Sequence, residues 1–239
     1  MSAAFRYKVA NGTVMQRVFM TETSSETAIA RAHMVDSQVR PNQVNDARVI
    51  AAMRSLARET FAPGHSHPYA DAEIDLGGGR AMLSPLLIAK LTQLVLASNP
   101  PHILVIGAGT GYGAAILASS GAVVTALESQ TSLTPGPVPA NVTFVNGKLA
   151  AGWPANGPYE AILIEGAVPE IPASLASQLA PEGVVVAILA DPASGFGNRA
   201  PLGHAVIAKP SGGQFATTKI FDCTAKILPE FEVAPAFVF

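Results

Sequence analysis

A run of branched apolar residues that ends in alternating glycines narrows the possible folds of this chain more than any other segment. Residues 103–106 read Ile-Leu-Val-Ile, and the next glycines stand at Gly107, Gly109, Gly111 and Gly113. The apolar run predicts a buried parallel strand, and the apolar residues that follow the glycines predict a helix. Glycines permit a tight turn and let backbone N–H groups approach a ligand closely. The segment therefore predicts a strand–turn–helix unit that binds a ligand at its turn.

A second apolar run and an acidic residue indicate the class of ligand. Residues 123–127 read Val-Val-Thr-Ala-Leu and are followed by Glu128. A carboxylate about 20 positions after a glycine turn is placed to accept hydrogen bonds from the two hydroxyls of a ribose. The pattern predicts a nucleoside-binding βαβ unit with Glu128 as the ribose ligand.

The glycine spacing bears on which nucleoside binds. A dinucleotide fingerprint reads G-x-G-x-x-G, but the third position after Gly109 is Tyr112, and the chain satisfies G-x-G-x-G instead. This form resembles motif I of class I S-adenosylmethionine (SAM) methyltransferases. Two alternatives fit the same residues: a nicotinamide-dinucleotide site, and a glycine turn that binds no ligand.

Composition argues against several classes of protein. The chain has 239 residues, of which 49% are hydrophobic, enough for one sizeable core. A net charge of −2 with 13% charged residues gives no support for electrostatic binding to nucleic acid or to a membrane surface. No apolar run approaches the roughly 18 residues that span a bilayer, and no signal peptide is evident. Cys223, the single cysteine, excludes an internal disulfide. We expect a soluble, cytoplasmic protein.

The chain as a whole predicts one α/β domain with an N-terminal helical segment. We expect residues 1–29 to be a flexible extension and residues 30–239 to be a single domain, with a helical and loop part at 30–100 and a Rossmann-like core at 101–239. Strands are predicted at 103–106, 123–127, 142–145, 161–164, 184–189, 204–208 and 215–221. The last two should form an antiparallel hairpin. The fold class is a doubly wound, mostly parallel seven-stranded sheet.

Three segments are expected to lack helix or strand. Residues 129–140 contain Pro135, Pro137 and Pro139, so the crossover between the second and third strands should be a loop. Residues 181–183 should turn into the fifth strand. Residues 64–80, rich in glycine and polar groups, should form a loop where a lid or substrate contact would lie.

Two further polar features precede the glycine motif. Ser84 is followed by Pro85, which predicts a helix that begins there with Ser84 as its N-cap. His65 and His67 lie two positions apart in the loop, without a nearby third ligand, so we expect an exposed pair and no metal.

Several segments, taken in order, resemble one known family. Before the glycine motif the chain reads Met-Val-Asp-Ser-Gln-Val at 34–39, Arg-Glu-Thr-Phe-Ala-Pro at 58–63 and Tyr-Ala-Asp at 69–71. After it come Glu-Gly-Ala at 165–167 and Gln-Leu-Ala-Pro at 178–181. This series resembles protein-L-isoaspartate O-methyltransferases, in particular their shorter bacterial branch. The resemblance covers roughly residues 31–239, including the terminal Pro-Ala-Phe-Val-Phe, and is most specific in its first half.

The resemblance implies a cofactor, a substrate and a mechanism. The cofactor is SAM, bound over the glycine turn. The implied cofactor-binding residues are Gly107, Ala108, Gly109, Thr110, Gly111, Tyr112, Glu128, Ser129, Asn146, Gly147 and Glu165. The family repairs damaged proteins by methylating the α-carboxylate of L-isoaspartyl residues, so the partner would be a protein or peptide with such residues. Because an ionised carboxylate attacks a sulfonium methyl without acid–base help, alignment and desolvation should dominate catalysis.

The chain departs from the family where the acceptor should bind. The family pattern is approximately Thr-Ile-Ser-x-Pro, whereas residues 81–85 read Ala-Met-Leu-Ser-Pro. If Pro85 sets the register, Leu83 takes the place of the serine that aligns the acceptor; if the serine sets it, one residue is missing. Ser84 is the candidate catalytic residue, with helix capping as its alternative role. The family's Gly-Asp-Gly after the third strand is Asn146-Gly147-Lys148 here, without the carboxylate that would face the adenine.

These observations leave three hypotheses. The first is a SAM-dependent isoaspartyl carboxyl methyltransferase. The second is a methyltransferase of the same fold that acts on another acceptor, since the serine is displaced. The third is a binding protein that keeps the fold without catalysis, since the cofactor loops have changed. The sequence does not predict an oligomeric state.

Overall fold

The structure is a computed structural model that describes residues 26–191, 194 and 200–231. In chain order its helices are α1 (residues 26–34), α2 (Ala47–Ser55), α3 (Pro85–Leu96) and α4 (Tyr112–Ala118). Its strands are β1 (Ile74–Gly77), β2 (Arg80–Met82), β3 (His102–Ile106), β4 (Val123–Glu128), β5 (Val142–Asn146), β6 (Tyr159–Val168), β7 (Leu179–Ala190), β8 (Leu202–Ser211) and β9 (Gln214–Thr224). A π-helical turn at Val35–Val39 and 3-10 turns at Arg40–Asn42, Arg58–Thr60, Leu149–Ala151, Pro154–Asn156, Ala173–Gln178 and Pro229–Phe231 complete it. None of the helices in these ranges is long and apolar enough to cross a membrane.

Seven strands form the central sheet, in the order β5-β4-β3-β6-β7-β8-β9. The pairs from β5 to β7 are parallel, whereas β8 and β9 are antiparallel to their neighbours. This confirms the predicted doubly wound, mostly parallel sheet closed by a hairpin. The chain reverses its direction of winding between β3 and β6, and in such sheets ligands bind outside the carboxyl ends of the strands at that position.

The sheet separates two hydrophobic clusters, and β3 contributes to both. Ile103 and Val105 pack with residues of α3 and α4 on one face. Leu104 and Ile106 pack on the other face with residues of the short 3-10 turns, such as Leu149. At the far edge of the sheet β9 is mostly exposed. The ligand-binding end of β3 is therefore anchored in the core on both faces.

The proline-rich crossover is a loop, as its sequence predicts. Residues 129–141 contain neither helix nor strand between β4 and β5. The N–H of Gly136 donates to the carbonyl of Thr110 at 2.8 Å, and Gly136 packs against the ring of Phe61. The loop is thus fastened to the glycine turn.

The loop predicted at residues 64–80 contains a small antiparallel hairpin instead, formed by β1 and β2. Gly78 and Gly79 have φ values of 57° and 77°, which glycine adopts without strain and which permit the tight turn. Ile74 and Met82 are paired and buried, so each strand contributes an apolar side chain to the body of the protein. The hairpin carries Arg80 toward the end of the central sheet.

Two predicted boundaries are corrected. Residues 26–29, assigned to the flexible extension, belong to helix α1, while residues 1–25 lie outside the described residues, as does the terminal segment 235–239. The turn predicted at 181–183 lies inside β7, which begins at Leu179. An irregularity in the pairing of β6 with β7 accommodates these residues.

Candidate active site

The glycine turn after β3 is shaped by its own backbone hydrogen bonds. The N–H groups of Gly107 and Ala108 donate to the carbonyl of Leu127 at 2.9 and 3.1 Å. The N–H of Gly109 donates to the Glu128 carboxylate at 2.7 Å, and that of Gly111 to the carbonyl of Ala108 at 2.8 Å. In this arrangement, these four predicted ligand-binding residues direct their amides into the protein.

The glycines also allow other side chains to lie directly on the turn. A Cβ atom on Gly107 would lie 2.9 Å from Nη2 of Arg80 and 3.2 Å from the methyl groups of Leu228. A Cβ atom on Gly109 would lie 3.2 Å from a methyl group of Leu76. The β1–β2 hairpin and the segment after β9 therefore cover the predicted cofactor site.

Glu128 lies at the centre of this site and is buried, with 6% of its surface exposed. Arg80, which is 3% exposed, forms an ion pair with it through Nη2 and Oε2 at 2.8 Å. Burial raises the pKa of Glu128, but the hydrogen bonds and charge of Arg80, together with the N–H groups of Gln130 and Gly109, outweigh that effect and hold the pKa below its ordinary value. Glu128 is therefore ionised at neutral pH.

Glu165 lies in β6, directly after Ile164, where the pairing of β6 with β3 ends, and it is next to Gly113 in helix α4. Burial raises its pKa to about 8, opposed by the charges of Arg80 and Arg58 and reinforced by that of Glu128. Its Oε2 atom is buried without a hydrogen-bond partner. Glu165 is thus a neutral carboxylic acid at pH 7, located where the sheet reverses its winding.

A buried arginine and two aromatic rings support the turn from the side of α4. Arg58 donates to the carbonyls of Pro68 and Leu83 at 2.8 and 2.6 Å. Its guanidinium carbon lies 4.8 Å from the ring centroid of Tyr112, whose ring packs edge-on against Phe61 at 5.3 Å. Tyr112 is buried and its hydroxyl has no hydrogen-bond partner. Tyr112, which is predicted to bind the cofactor, therefore packs inside the protein and supports the glycine turn there.

The remaining predicted residues fall into two places. The side-chain amide of Asn146 donates to the carbonyls of Glu128 and Ser129 at 2.9 and 3.2 Å, and Gly147 lies under the ring of Trp153. These residues adjoin Glu128 at the ends of β4 and β5. Ser84 lies at the start of α3, where its hydroxyl accepts a hydrogen bond from the N–H of Leu87 at 3.4 Å, so its predicted capping role is confirmed.

His65 and His67 are both exposed. In the ranges that the structure describes, no group of three His, Cys, Asp or Glu side chains is placed to hold a metal ion.

Sequence reasoning missed the roles of Arg80 and Arg58. Arg80 follows three consecutive glycines in a chain with few charges, and an isolated charge beside a tight turn is a signal for a binding residue. Arg58 was noticed only as part of a family-like segment. The two are the buried arginines of the described residues, and both approach the glycine turn.

The strand order, the glycine turn after β3 and the acidic residue at the end of β4 together define a class I SAM-dependent methyltransferase. The profile of the family Protein-L-isoaspartate(D-aspartate) O-methyltransferase (PCMT) matches residues 30–196. The chain belongs to this family, as its sequence motifs predicted.

Individual relatives agree with that assignment. The chain is 32% identical over 176 residues to protein-L-isoaspartate O-methyltransferase 1 of Rhodopseudomonas palustris, covering 70% of this chain and 72% of the relative. It is 36% identical over 165 residues to the protein-L-isoaspartate O-methyltransferase of Methanoregula boonei, covering 65% of this chain and 76% of that relative.

Two solved structures share the fold. A protein-L-isoaspartate O-methyltransferase superposes with a TM-score of 0.64 at 21% identity, covering 79% of this chain and 63% of that chain. A putative protein-L-isoaspartate O-methyltransferase from Plasmodium falciparum, in complex with S-adenosyl-L-homocysteine, superposes with a TM-score of 0.65 at 15% identity. The superposition covers 84% of this chain and 98% of that chain.

Proposed function

We propose that this protein transfers the methyl group of SAM to the α-carboxylate of L-isoaspartyl residues in damaged proteins. The observation that carries the proposal is the family match over residues 30–196, which includes the glycine turn, Glu128 and Glu165. A cytoplasmic location and the roles of individual site residues stay predictions.

The residues around the glycine turn suit SAM as a ligand. Glu128 is ionised, the state in which a carboxylate accepts hydrogen bonds from ribose hydroxyls. Gly107 has no side chain of its own, so the side chains nearest to the turn at that position are those of Arg80 and Leu228. Ser129, Asn146 and Gly147 adjoin Glu128, where the base attached to that ribose would lie. When bound, SAM supplies an electrophilic sulfonium methyl group.

The chain's own groups then have two tasks, to orient the acceptor carboxylate and to exclude water. Leu76 lies against the glycine turn and gives the site an apolar wall. In the register set by Pro85, the buried Leu83, 2% exposed, stands where the family pattern places a serine. Because Glu165 is neutral below about pH 8, it does not repel an incoming carboxylate. Desolvation of a nucleophile that is already ionised favours its attack on a cationic centre.

The first test is methyl transfer from labelled SAM to an isoaspartyl peptide, with the same peptide containing normal aspartate as control. We expect base-labile label on the isoaspartyl peptide alone. No transfer, with SAM binding intact by calorimetry, would contradict the proposal and favour a different acceptor. No transfer and no binding of SAM or S-adenosylhomocysteine would favour a binding protein that has lost catalysis.

Substitution of Ser84 separates its two predicted roles. We expect Ser84→Ala to lower the free energy of unfolding by about 1 kcal/mol, because the N-cap of α3 is lost, and to leave kcat for the peptide within about twofold. Ser84→Asp, which preserves a cap, should restore stability and keep activity. Urea unfolding and steady-state kinetics measure the two effects. If Ser84 instead held the acceptor carboxylate, Ser84→Asp would abolish transfer by charge repulsion.

A further inference from the structure

Protein groups already use the whole hydrogen-bonding capacity of the Glu128 carboxylate. Oε1 accepts from the N–H groups of Ser129 and Gln130 at 2.9 and 3.0 Å and from Nε of Arg80 at 3.3 Å. Oε2 accepts from the N–H of Gly109 at 2.7 Å and from Nη2 of Arg80 at 2.8 Å. A carboxylate has about four lone-pair positions, so these five donors leave none for a ligand.

A ribose on Glu128 and Arg80 on Glu128 therefore exclude each other. Three of the five donors are backbone N–H groups that the fold of the glycine turn and of β4 holds in place. The other two belong to Arg80, which stands beside the glycine turn of a two-stranded hairpin. Two ribose hydroxyls can replace the two N–H groups of one guanidinium, so Arg80 is the group that SAM must displace.

Once displaced, Arg80 needs new hydrogen-bond acceptors, and an anionic acceptor would also compensate its buried charge. Glu165 is held neutral by burial and is a poor replacement. The acceptor in the proposed reaction is itself a carboxylate. The other buried arginine in the described ranges, Arg58, is held by two backbone carbonyls and by the ring of Tyr112. Its Nη1 atom has no hydrogen-bond partner, but these fixed contacts hold the guanidinium in place, so Arg80 is the arginine that SAM would release.

We propose that Arg80 binds the acceptor: the ribose of SAM displaces Arg80 from Glu128, and Arg80 then pairs with the carboxylate that is methylated. This inference rests on the proposed function. It gives Arg80 the orienting task that Leu83 cannot perform in the register set by Pro85. It also requires SAM to bind before the acceptor. Methylation converts the acceptor carboxylate into a neutral ester, which no longer pairs with Arg80. Arg80 returns to Glu128 once S-adenosylhomocysteine, which carries the same ribose, has also left.

The experiment compares Arg80→Met, which removes the charge, with Arg80→Lys, which keeps it, and with Arg54→Met as a control at an exposed arginine of α2. In Arg80→Met we expect S-adenosylhomocysteine to bind roughly tenfold more tightly by calorimetry, because a competitor for Glu128 is gone. We expect the KM of the isoaspartyl peptide to rise about 10- to 100-fold with a smaller change in kcat, since a charge-assisted contact is lost. Arg80→Lys should recover part of the KM effect, and Arg54→Met should match the wild type.

Two measurements keep the test decisive. In the wild type, the peptide should bind measurably only when S-adenosylhomocysteine is present; equal binding without it would overturn the inference even if Arg80→Met failed to fold. An unchanged KM in folded Arg80→Met would also overturn the inference. It would indicate that the Arg80 displaced by SAM pairs with Glu165 and not with the acceptor. If the wild type methylates no isoaspartyl peptide, the proposed function fails. Weaker or unchanged binding of S-adenosylhomocysteine by Arg80→Met would refute the displacement step separately.

Discussion

Replacing Glu165 by glutamine should stabilise the protein above pH 8 and have little effect below pH 4.5. Its pKa rises from 4.5 to about 8 because the carboxyl group is buried. Below pH 4.5 the group is protonated in both the folded and the unfolded state. Between pH 4.5 and about 8 the unfolded state releases its proton first, so the free energy of unfolding falls as pH rises. At 1.36 kcal/mol per pKa unit, the full cost above pH 8 is on the order of 5 kcal/mol.

Urea unfolding of the wild type and of Glu165→Gln at pH 4, 6 and 9 measures this effect. We expect the difference between the two proteins to grow with pH and to level off above pH 8. Glu182→Gln, at an exposed glutamate of β7 that pairs with Lys209, is the matched control and should show no such trend. A difference that is constant across the three pH values would mean that Glu165 is ionised in the folded protein.

Glu128→Gln is expected to lower the free energy of unfolding by about 3–5 kcal/mol at pH 7, because Arg80 then keeps its burial but loses its anionic partner. The pKa of Glu128 is lowered in the folded state, so this stabilisation is present above its unfolded value of 4.5 and is lost as pH falls through the folded value. The variant and the wild type should therefore converge in acid. The double variant Glu128→Gln with Arg80→Met, which has no buried charge to compensate, should recover much of the loss in urea unfolding.

The same variant tests the ribose assignment. We expect Glu128→Gln to bind S-adenosylhomocysteine at least about tenfold more weakly by calorimetry, since an amide offers one acceptor oxygen where the carboxylate offers two. Asp222→Asn, at an exposed carboxylate of β9, serves as the control and should bind normally. Unchanged affinity in folded Glu128→Gln would show that the ribose binds elsewhere.

The sheet and its glycine turn could be predicted because their signals are local. A run of four branched residues followed by alternating glycines specifies strand, turn and helix within about a dozen positions. The proline-rich crossover between β4 and β5 could be predicted as well, because proline disrupts a helix whatever residues surround it. By contrast, β7 begins at Leu179, two residues before the proline that was expected to mark a turn. The pairing of β7 with β6 is irregular at its start, and this irregularity depends on the position of β6, which local sequence does not specify.

The electrostatics of the site could not be predicted, because each pair is made of residues far apart in the chain. Arg80 and Glu128 are 48 positions apart, and no local pattern links them. Arg58 lies in a mixed segment that gives no sign that its guanidinium is buried against Tyr112. Glu165 follows the strand predicted at 161–164, and only the family resemblance identifies it as a site residue. Its neutral state follows from burial, which the sequence does not specify.

Strand β9 bears on how the protein behaves at high concentration. In the described part of the chain it is the last strand of the sheet, with β8 as its single strand neighbour, and most of its eleven residues are exposed. The outer side of such a strand is a template on which an extended segment of another molecule can add itself to the sheet. Lys219 and Asp222 form an ion pair within β9, and both charges would have to lose water for a second strand to dock. This ion pair therefore disfavours self-association through the outer side of β9.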